Sequence, residues 1–434
     1  MNQSLKLALL LFGLLGYSLT ASAQKYENIK IYESNKGKIG PCEPSIAISP
    51  ANPDHIVAGA VLDYLFWSKD GGKTWENDRL TSQFGVWGDP CVIADKEGRF
   101  HYFHLSDPTG RNWASEEILD RIVCQTSTDS GENWSAGASI GLNYDKDQDK
   151  EWSVIDPNSG NVYTTWTQFD KYGSKAPQDS SRILFSMSKD NGRSWHTPKR
   201  VSQFAGNCLD DDQTVEGAVP AVGPNGEIYV SWSFDSQLYF DRSLDSGRTW
   251  MEEDLMIMEQ PEGWDIEVPG IGRANGFPVT AVDLSDGPHR GTIYVNWSDQ
   301  RNGTDDTDVF LMKSTDGGDT WSEAIRVNDD KMGNGKHQFF NWMAIDPATG
   351  YVYITFYDRR DQEGNATDVY LAYSKDGGEN FENIKISESP FTPVEGIFFG
   401  DYSNISAYNG RIRPIWTRFE DGKLSVWTAL VEME

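Results

Sequence analysis

The chain has 434 residues, with 66 acidic against 38 basic side chains and a formal net charge of −28. A surface of that charge repels nucleic acid and anionic membranes, so we expect neither as a partner. Sixteen Trp, 18 Tyr and 20 Phe supply the bulky side chains that a large β-rich core needs.

The first 23 residues predict a secretory signal peptide. A Lys precedes an apolar run from Leu7 to Leu15, and Ala21-Ser22-Ala23 forms a small-residue cleavage site. The run is too short to span a bilayer, and we expect no membrane insertion later in the chain. Residues 24–434 are therefore expected to form a single exported domain, in a periplasm, at a cell surface or in the medium.

One short pattern, Ser-x-Asp-x-Gly-x-x-Trp/Phe, occurs six times, and its copies begin 55 to 71 residues apart. The copies are Ser68–Trp75, Ser127–Trp134, Ser188–Trp195, Ser243–Trp250, Ser314–Trp321 and Ser374–Phe381. A period of this length, with alternating strands between the copies, predicts a β-propeller. We interpret the Asp and Trp residues of these repeat turns as structural, because six copies of a catalytic group make no chemical sense.

The predicted innermost strands number seven, one more than the repeats. They begin near Pro44, Pro90, Trp152, Val219, Pro278, Trp342 and Tyr402. The last blade lacks a fourth strand, and Glu27–Ile31 repeats the sequence of Glu382–Ile386, which follows the sixth repeat as a fourth strand. Pairing the N-terminal segment with the last blade would close the ring. We therefore favour an all-β propeller of seven blades, with six as the alternative.

The repeat resembles the Asp box, or BNR repeat, of the sialidase (neuraminidase) superfamily, and the resemblance covers nearly the whole chain after the leader. It implies a propeller that hydrolyses sialic acid with three Arg, a Tyr nucleophile activated by a Glu, and an Asp as acid. Tyr402-Ser403 stands where the family's Tyr-Ser opens the last inner strand. The family's Arg-Ile-Pro motif is replaced here by Cys42-Glu43-Pro44-Ser45, and catalytic sialidases have six blades.

Acidic and amide side chains stand just before several predicted inner strands. Alignment of those strands gives Glu43, Asp89, Glu151, Asn341 and Asp401. Carboxyl groups that crowd a concave mouth raise one another's pKa, which keeps one of them protonated for general-acid work. We predict Glu43, Asp89, Glu151 and Asp401 as acid/base residues and Tyr402 as nucleophile; a solvated rim is the alternative.

Substrate-binding candidates lie on the same predicted face. Arg301, Arg360 and Arg418 adjoin a second ring of acids at the ends of second strands, and a guanidinium binds a carboxylate in a bidentate way. The alternative is a set of Asp and Arg pairs that hold the loops. Asn341, His337 and Trp87 are further candidates, and Trp264, Phe339 and Phe340 are aromatics of the same loops.

No cofactor is required by these patterns, although calcium is possible. Asp145–Glu151 alternates acids as calcium ligands do, but it lacks the Gly of an EF-hand loop, so no metal site is assigned. The four cysteines contain no CxxC pair, which argues against structural zinc. Cys42 and Cys91 begin neighbouring blades and could form a disulfide, with buried free thiols as the alternative.

The leading functional hypothesis is a secreted sialidase-like glycoside hydrolase, expected to be a monomer, that acts on an extracellular glycan, including one with an acidic sugar. A non-catalytic propeller that binds a glycan or protein is the first alternative. The second alternative is a lyase of uronic-acid polysaccharide with Tyr402 or His337 as base.

Overall fold

The computed structural model describes residues 26–37 and 39–433, so the predicted signal peptide lies outside the described residues. Within this part of the chain, six four-stranded sheets and one five-stranded sheet form the seven blades of a propeller. Each innermost strand contacts that of the next blade, and the last contacts the first. The prediction of seven blades is confirmed.

Strand β1 (Asn28–Glu33) comes first in the chain and belongs to the last blade. Blade 1 contains β2 (Cys42–Ile48), β3 (Ile56–Val61), β4 (Tyr64–Ser68) and β5 (Glu76–Arg79). Blade 2 contains β6 (Cys91–Ala94), β7 (Phe100–Leu105), β8 (Ile122–Ser127) and β9 (Ala138–Ile140). Blade 3 contains β10 (Asp147–Ile155), β11 (Val162–Phe169), β12 (Ser181–Ser188) and β13 (Lys199–Arg200).

Blade 4 contains β14 (Glu216–Val222), β15 (Ile228–Phe234), β16 (Gln237–Ser243) and β17 (Leu255–Glu259). A hairpin of β18 (Asp265–Ile266) and β19 (Ala274–Asn275) follows it. Blade 5 contains β20 (Val279–Val282), β21 (Ile293–Asp299), β22 (Asp308–Ser314) and β23 (Ile325–Arg326). Blade 6 contains β24 (Gln338–Ile345), β25 (Val352–Asp358), β26 (Asp368–Ser374) and β27 (Glu382–Lys385).

Blade 7 contains β28 (Asn404–Tyr408), β29 (Arg411–Glu420), β30 (Lys423–Ala429) and β31 (Val431–Glu432), which pairs with β29. Strand β1 pairs with β30 antiparallel, from Asn28 opposite Ala429 to Glu33 opposite Ser425. The N-terminal strand therefore closes the ring, as predicted. A 3₁₀ turn at Asn112–Ala114 is the one helical element of the described residues, in which no helix is long and apolar enough to cross a bilayer.

Each repeat forms the same turn between the third and fourth strands of its blade. In the first copy, Ser68 Oγ accepts a hydrogen bond from Gly72 N, and Asp70 Oδ1 accepts one from Thr74 N, both at 2.9 Å. Trp75 Nε1 donates to the Gly72 carbonyl, also at 2.9 Å. The φ of Gly72 is 91°, which glycine adopts without strain. The turns are built by their own side chains, and they mark the lower face of the ring.

The second strands lie at the centre of the core and are buried over almost their whole length. Trp166, Trp232, Trp297 and Trp416 occupy the second strands of four blades and are fully buried. Burying one large side chain stabilises the fold by about 1.5–3 kcal/mol. All four cysteines are buried free thiols, so the alternative given with the sequence holds and the Cys42–Cys91 disulfide is not formed.

Candidate functional site

A β-bulge recurs where innermost strands reach the upper face, opposite the repeat turns. The register of β2, β10, β14 and β24 with the next strand slips by one residue at that end. At the bulge, Glu43, Lys150 and Phe340 have φ of 51°, 54° and 52°, and Gly217 has 79°. A bulge of this kind re-aims a side chain.

The bulges correct the sequence alignment by one residue. Lys150, and not Glu151, is the equivalent of Glu43, and Phe340, and not Asn341, occupies the same place in blade 6. Asp89, just before β6, has a φ of 49°. A cation therefore stands among the predicted carboxyl groups at the mouth of the central channel.

That cation belongs to an ion cluster centred on Asp401. The Asp401 carboxylate accepts a hydrogen bond from Arg273 Nε at 2.8 Å and contacts the Lys150 ammonium. Arg273 also donates to Asp210 Oδ2 at 2.6 Å, and Lys150 lies 3.6 Å from Asp89 Oδ2. Burial acts to raise the pKa of Asp401, but Arg273 and Lys150 outweigh it and hold that pKa well below its ordinary value. Asp401 therefore stays ionised and positions both cations.

Glu43 is a buried carboxyl group of the cluster. Its Oε1 accepts a hydrogen bond from Asp401 N at 3.0 Å, and the residue is buried. Burial, and then the charges of Asp89 and Asp401, raise the pKa of Glu43 well above its ordinary value. A carboxyl group that keeps its proton in this way can donate it to a leaving group.

Glu151 and Glu216 lie deeper. Both are buried, and neither carboxyl oxygen of either residue has a hydrogen-bond partner in the described residues. Burial raises the pKa of both well above the ordinary value, and neighbouring acids, first Asp89 for Glu151 and first Asp210 for Glu216, add to it. These groups are buried as neutral acids, because a lone buried carboxylate is far more costly.

A cleft of about 330 Å³ opens above the ion cluster. Its polar floor consists of Glu43, Asp89, Asp149, Lys150 and Arg273. Its walls include the aromatic rings of Trp87, Trp113, Tyr172 and Phe398. The Trp113 and Tyr172 rings stack with centroids 5.5 Å apart, and Trp87 meets Trp113 edge-on at 6.2 Å. Apolar walls around a few convergent polar groups are typical of a small-molecule site.

Tyr402 lies beneath the cleft in an aromatic plug of the central channel. Its ring centroid is 5.0 Å from Trp152 and 6.1 Å from Trp342, and those two rings are 4.1 Å apart. The Tyr402 hydroxyl donates to the Pro90 carbonyl at 3.5 Å. Burial, and then the charges of Asp89, Glu43 and Glu151, raise the pKa of Tyr402 well above its ordinary value.

The three predicted clamp arginines each bind an acid of their own blade. Arg301 NH2 and Arg360 Nε donate to the aspartate two residues earlier, Asp299 at 2.6 Å and Asp358 at 2.7 Å. Arg418 donates to Glu420 at 2.5 Å. These contacts follow the alternative given with the sequence, in which Asp and Arg pairs hold loops.

His337 and Asn341 have different surroundings. His337 lines a second, larger groove, where its Nδ1 shares a hydrogen bond with Thr307 Oγ1 at 2.9 Å. Burial, and then the Arg359 charge, lower the pKa of His337 to about 4. Asn341 Nδ2 donates to Asn296 Oδ1 at 2.8 Å and so links blades 5 and 6.

Several site residues were missed by the sequence reasoning, and some aromatics were misplaced by it. Trp113 lies in the short 3₁₀ turn, and Arg273 and Tyr172 lie in loops, so no periodic pattern marks any of them. Lys150 could have been found only by recognising the β-bulge, which shifts the alignment of the inner strands by one residue. Trp264, Phe339 and Phe340 are buried, so they are not available to a ligand.

The acidic segment Asp145–Glu151 is used in local contacts. Asp147 Oδ2 accepts from Tyr172 N at 2.6 Å, and Asp149 Oδ1 accepts from Lys150 N at 2.9 Å. In the described part of the chain, no three His, Cys, Asp or Glu side chains are grouped as a metal site requires. Calcium binding stays a prediction of the sequence.

Comparison with known proteins gives sequence relatives and solved structures with a similar fold. No protein-family model matches the chain. A sialidase of Bacteroides fragilis (strain YCH46) is 22% identical over 285 residues, which cover 49% of this chain and 51% of the relative. The chain therefore spans about half the length of the curated relative that it matches.

Solved structures match over nearly the whole chain at low identity. An ulvan lyase, described as a new family of polysaccharide lyase and bound to -[GlcA(1-4)Rha3S]-, has a TM-score of 0.56 at 14% identity and covers 94% of this chain and 96% of its own. A protein of unknown function from Dyadobacter fermentans DSM 18053 has a TM-score of 0.51 at 13% identity, and the match covers 95% of this chain and 99% of that protein. NanB sialidase from Streptococcus pneumoniae has a TM-score of 0.50 at 10% identity, and the match covers 87% of this chain and 83% of that protein. At these identities the likeness concerns the fold.

Proposed function

We propose that this sialidase-like β-propeller is a glycoside hydrolase whose active site is the cleft at the mouth of the central channel. The observation that carries the proposal is a single cleft that combines aromatic walls with two cations and several carboxyl groups, among them Glu43, whose pKa is raised. Aromatic walls suit the apolar faces of a sugar ring, and the floor supplies the groups that cleavage of a glycosidic bond requires.

Glu43 is proposed as the general acid. A glycosidic oxygen must receive a proton as its bond to carbon breaks, and a carboxyl group supplies it only if it is still protonated near neutral pH. Burial next to Asp89 and Asp401 keeps the Glu43 proton in place. Proton donation of this kind contributes about 10²–10⁴-fold to the rate.

Asp89 is proposed as the second carboxyl group of the reaction. Its Oδ2 has no hydrogen-bond partner in the described residues and faces the Lys150 ammonium at 3.6 Å. It would either activate a water molecule or attack the anomeric carbon, the two roles open to the second carboxylate of a glycosidase. The sialidase resemblance implies a Tyr nucleophile. On that interpretation Tyr402, directly beneath the cleft, makes the attack instead.

Arg273 and Lys150 are proposed to orient the sugar by donating hydrogen bonds to its hydroxyl oxygens. Both cations are held in place by Asp401, so no reorganisation is needed when the sugar binds. An extracellular substrate follows from the predicted leader, and export stays a prediction. N-terminal sequencing of the mature protein would test it.

The experiment is mass spectrometry of products from a panel of neutral, sialylated and uronic-acid glycans. Products that gain one water per bond broken are expected, and Glu43→Gln and Asp89→Asn should form them far more slowly. Retained activity in Asp89→Asn with loss in Tyr402→Phe would assign the nucleophile to Tyr402. Unsaturated products would indicate elimination in place of hydrolysis. No product from any glycan would indicate a non-catalytic binding propeller.

A further inference from the structure

A larger groove of about 870 Å³ runs beside the cleft. One wall is the segment 262–273, which belongs to the β18–β19 hairpin and its approach, and the other contains Gln300, Asp305, His337 and Glu395. Arg273 lines both the groove and the cleft, so the two spaces meet at the ion cluster. Small-molecule pockets measure about 300–1,000 Å³, and the two together exceed what one small ligand fills.

The hairpin wall is fixed in place. Trp264 N and Asp265 N donate to Asp212 Oδ1 at 2.7 and 2.8 Å, and the Trp264 ring is buried. Ile266 and Ile271 pack into the same apolar cluster as Phe339 and Phe340 of blade 6. A wall built in this way is preformed, so binding along it does not require the ordering of a loop.

The walls of the groove carry exposed acidic side chains. Glu262, Asp265, Glu267, Asp305 and Glu395 are all exposed at its surface. Arg273 adds a guanidinium that is already paired with Asp401 and Asp210. A chain of uronic or sialic acids would be repelled along this wall, whereas sugar hydroxyl groups can donate hydrogen bonds to carboxylates.

We propose that the groove binds the continuation of a neutral glycan chain whose scissile bond lies in the cleft. The inference rests on the proposed hydrolase and names its substrate class: a neutral chain of several sugars and not a terminal acidic sugar. The cleft takes the sugar at the reacting bond, and the groove takes the sugars that follow past Arg273.

Gly272 offers a way to block the groove without strain. It is exposed on the groove wall, an added Cβ would meet no atom within 4 Å, and its backbone is outside the left-handed region. Gly272→Trp therefore fills the groove with an indole ring. Leu244→Trp, at a position 68% exposed in a repeat turn of the lower face, is the matched control for an added surface Trp.

The test measures binding of labelled glucose, mannose and N-acetylglucosamine oligomers, from monosaccharide to hexasaccharide, to Asp89→Asn protein by fluorescence anisotropy. We expect at least one neutral series to gain about tenfold or more in affinity with length, equivalent to about 1.4 kcal/mol. Gly272→Trp should remove that gain and Leu244→Trp should keep it. Oligogalacturonates of equal length should bind more weakly.

Affinity that does not depend on length, absence of binding in every series, or a preference for oligogalacturonate would overturn the inference. Its failure is distinguishable from failure of the hydrolase. A wild-type protein that binds long neutral chains but leaves them uncut would remove the proposed reaction and keep the groove as a chain-binding site. A protein that cleaves its substrate equally fast at every chain length would keep the proposed reaction and remove the groove as a chain-binding site.

Discussion

Arg273 and Arg360 make the same contact, a guanidinium against a buried aspartate, at two places with different surroundings. Arg273 binds Asp401 and lines the cleft, whereas Arg360 binds Asp358 at the end of β25, outside the cleft. Arg273→Gln is expected to lower kcat/KM by about 100-fold, the loss typical of a removed transition-state donor. Arg360→Gln is expected to keep kcat/KM and to lower the free energy of unfolding by about 3–5 kcal/mol, because buried Asp358 loses its cationic partner.

Steady-state kinetics on the cleaved glycan and denaturant unfolding of both variants check this pair. Equal loss of kcat/KM in the two variants would restore the clamp of Arg301, Arg360 and Arg418 that the sequence predicts. Loss of stability without loss of activity in Arg273→Gln would take Arg273 out of the proposed site.

Glu43 links the reaction to stability through its proton. Its folded pKa is raised well above the ordinary value, whereas the unfolded chain titrates near about 4.3. Above that pH the folded state holds a proton that the unfolded state has lost, so the stability contribution of Glu43 falls as the pH rises. Glu43→Gln should therefore flatten the decline of stability toward alkaline pH and lower turnover by about 10²–10⁴-fold.

Denaturant midpoints measured from weakly acidic to alkaline pH check the first half, and kinetics the second. Glu151 and Glu216 are raised in the same way, so the decline is expected to weaken and not to vanish. Wild-type turnover in Glu43→Gln would pass the role of general acid to another group.

At the scale of strands and turns, the sequence predicts the features that depend on local chemistry. The repeat turns and inner strands follow from Ser, Asp and Gly at fixed spacing and from alternation with period two. The bulges were not predicted, because one inserted residue changes no composition yet moves every side chain after it to the other face. For that reason Glu151 was aligned where Lys150 stands, and Arg273, in a loop without period, was not found.

The repeat turns carry a prediction for acid stability. Asp245 accepts hydrogen bonds from Thr249 N, Thr249 Oγ1 and Ser243 Oγ, each at 2.8 Å, and the bond from Thr249 N is the main cause that lowers its pKa to about 2. The contribution of a lowered carboxyl pKa is complete above the unfolded value and is lost as the pH falls through the folded one. We expect stability to fall between about pH 4 and pH 2.

The Asp245→Asn variant should have a lower free energy of unfolding than the wild type at neutral pH. It should lose less of that free energy across the pH window, because one carboxylate no longer titrates. Urea midpoints at pH 7 and pH 3 measure this, with Glu253→Gln, at an exposed position in the bend before β17, as the control acid. A variant whose midpoint falls as steeply as that of the wild type would show that the turns do not set acid stability.

At the scale of the whole molecule, strand β1 joins three blades. It pairs with β30 of blade 7, and Asn28 Nδ2 donates to the Ile386 carbonyl at the end of blade 6, at 2.8 Å. On the other side, the Tyr32 ring lies 5.1 Å from Tyr64 and 5.8 Å from Phe66 of blade 1. A ring closed in this way has no free sheet edge at its seam, and its cleft keeps its shape because Glu43 of blade 1 remains beside Asp401 next to blade 7.

Tyr32→Ala is therefore expected to lower the free energy of unfolding of the whole propeller by about 1–3 kcal/mol, since aromatic pairs are worth about 0.5–1.5 kcal/mol each beyond the area they bury. Lys30→Ala on the same strand is the control, because its ion pair with Glu33 is exposed and such pairs contribute little. Unfolding followed by tryptophan fluorescence and by far-UV circular dichroism should shift together in Tyr32→Ala, since blades 1 and 7 separate as one event. If the two variants unfold at the same denaturant concentration, the seam does not limit the stability of the ring, and the geometry of the Glu43–Asp401 pair depends on the blades alone.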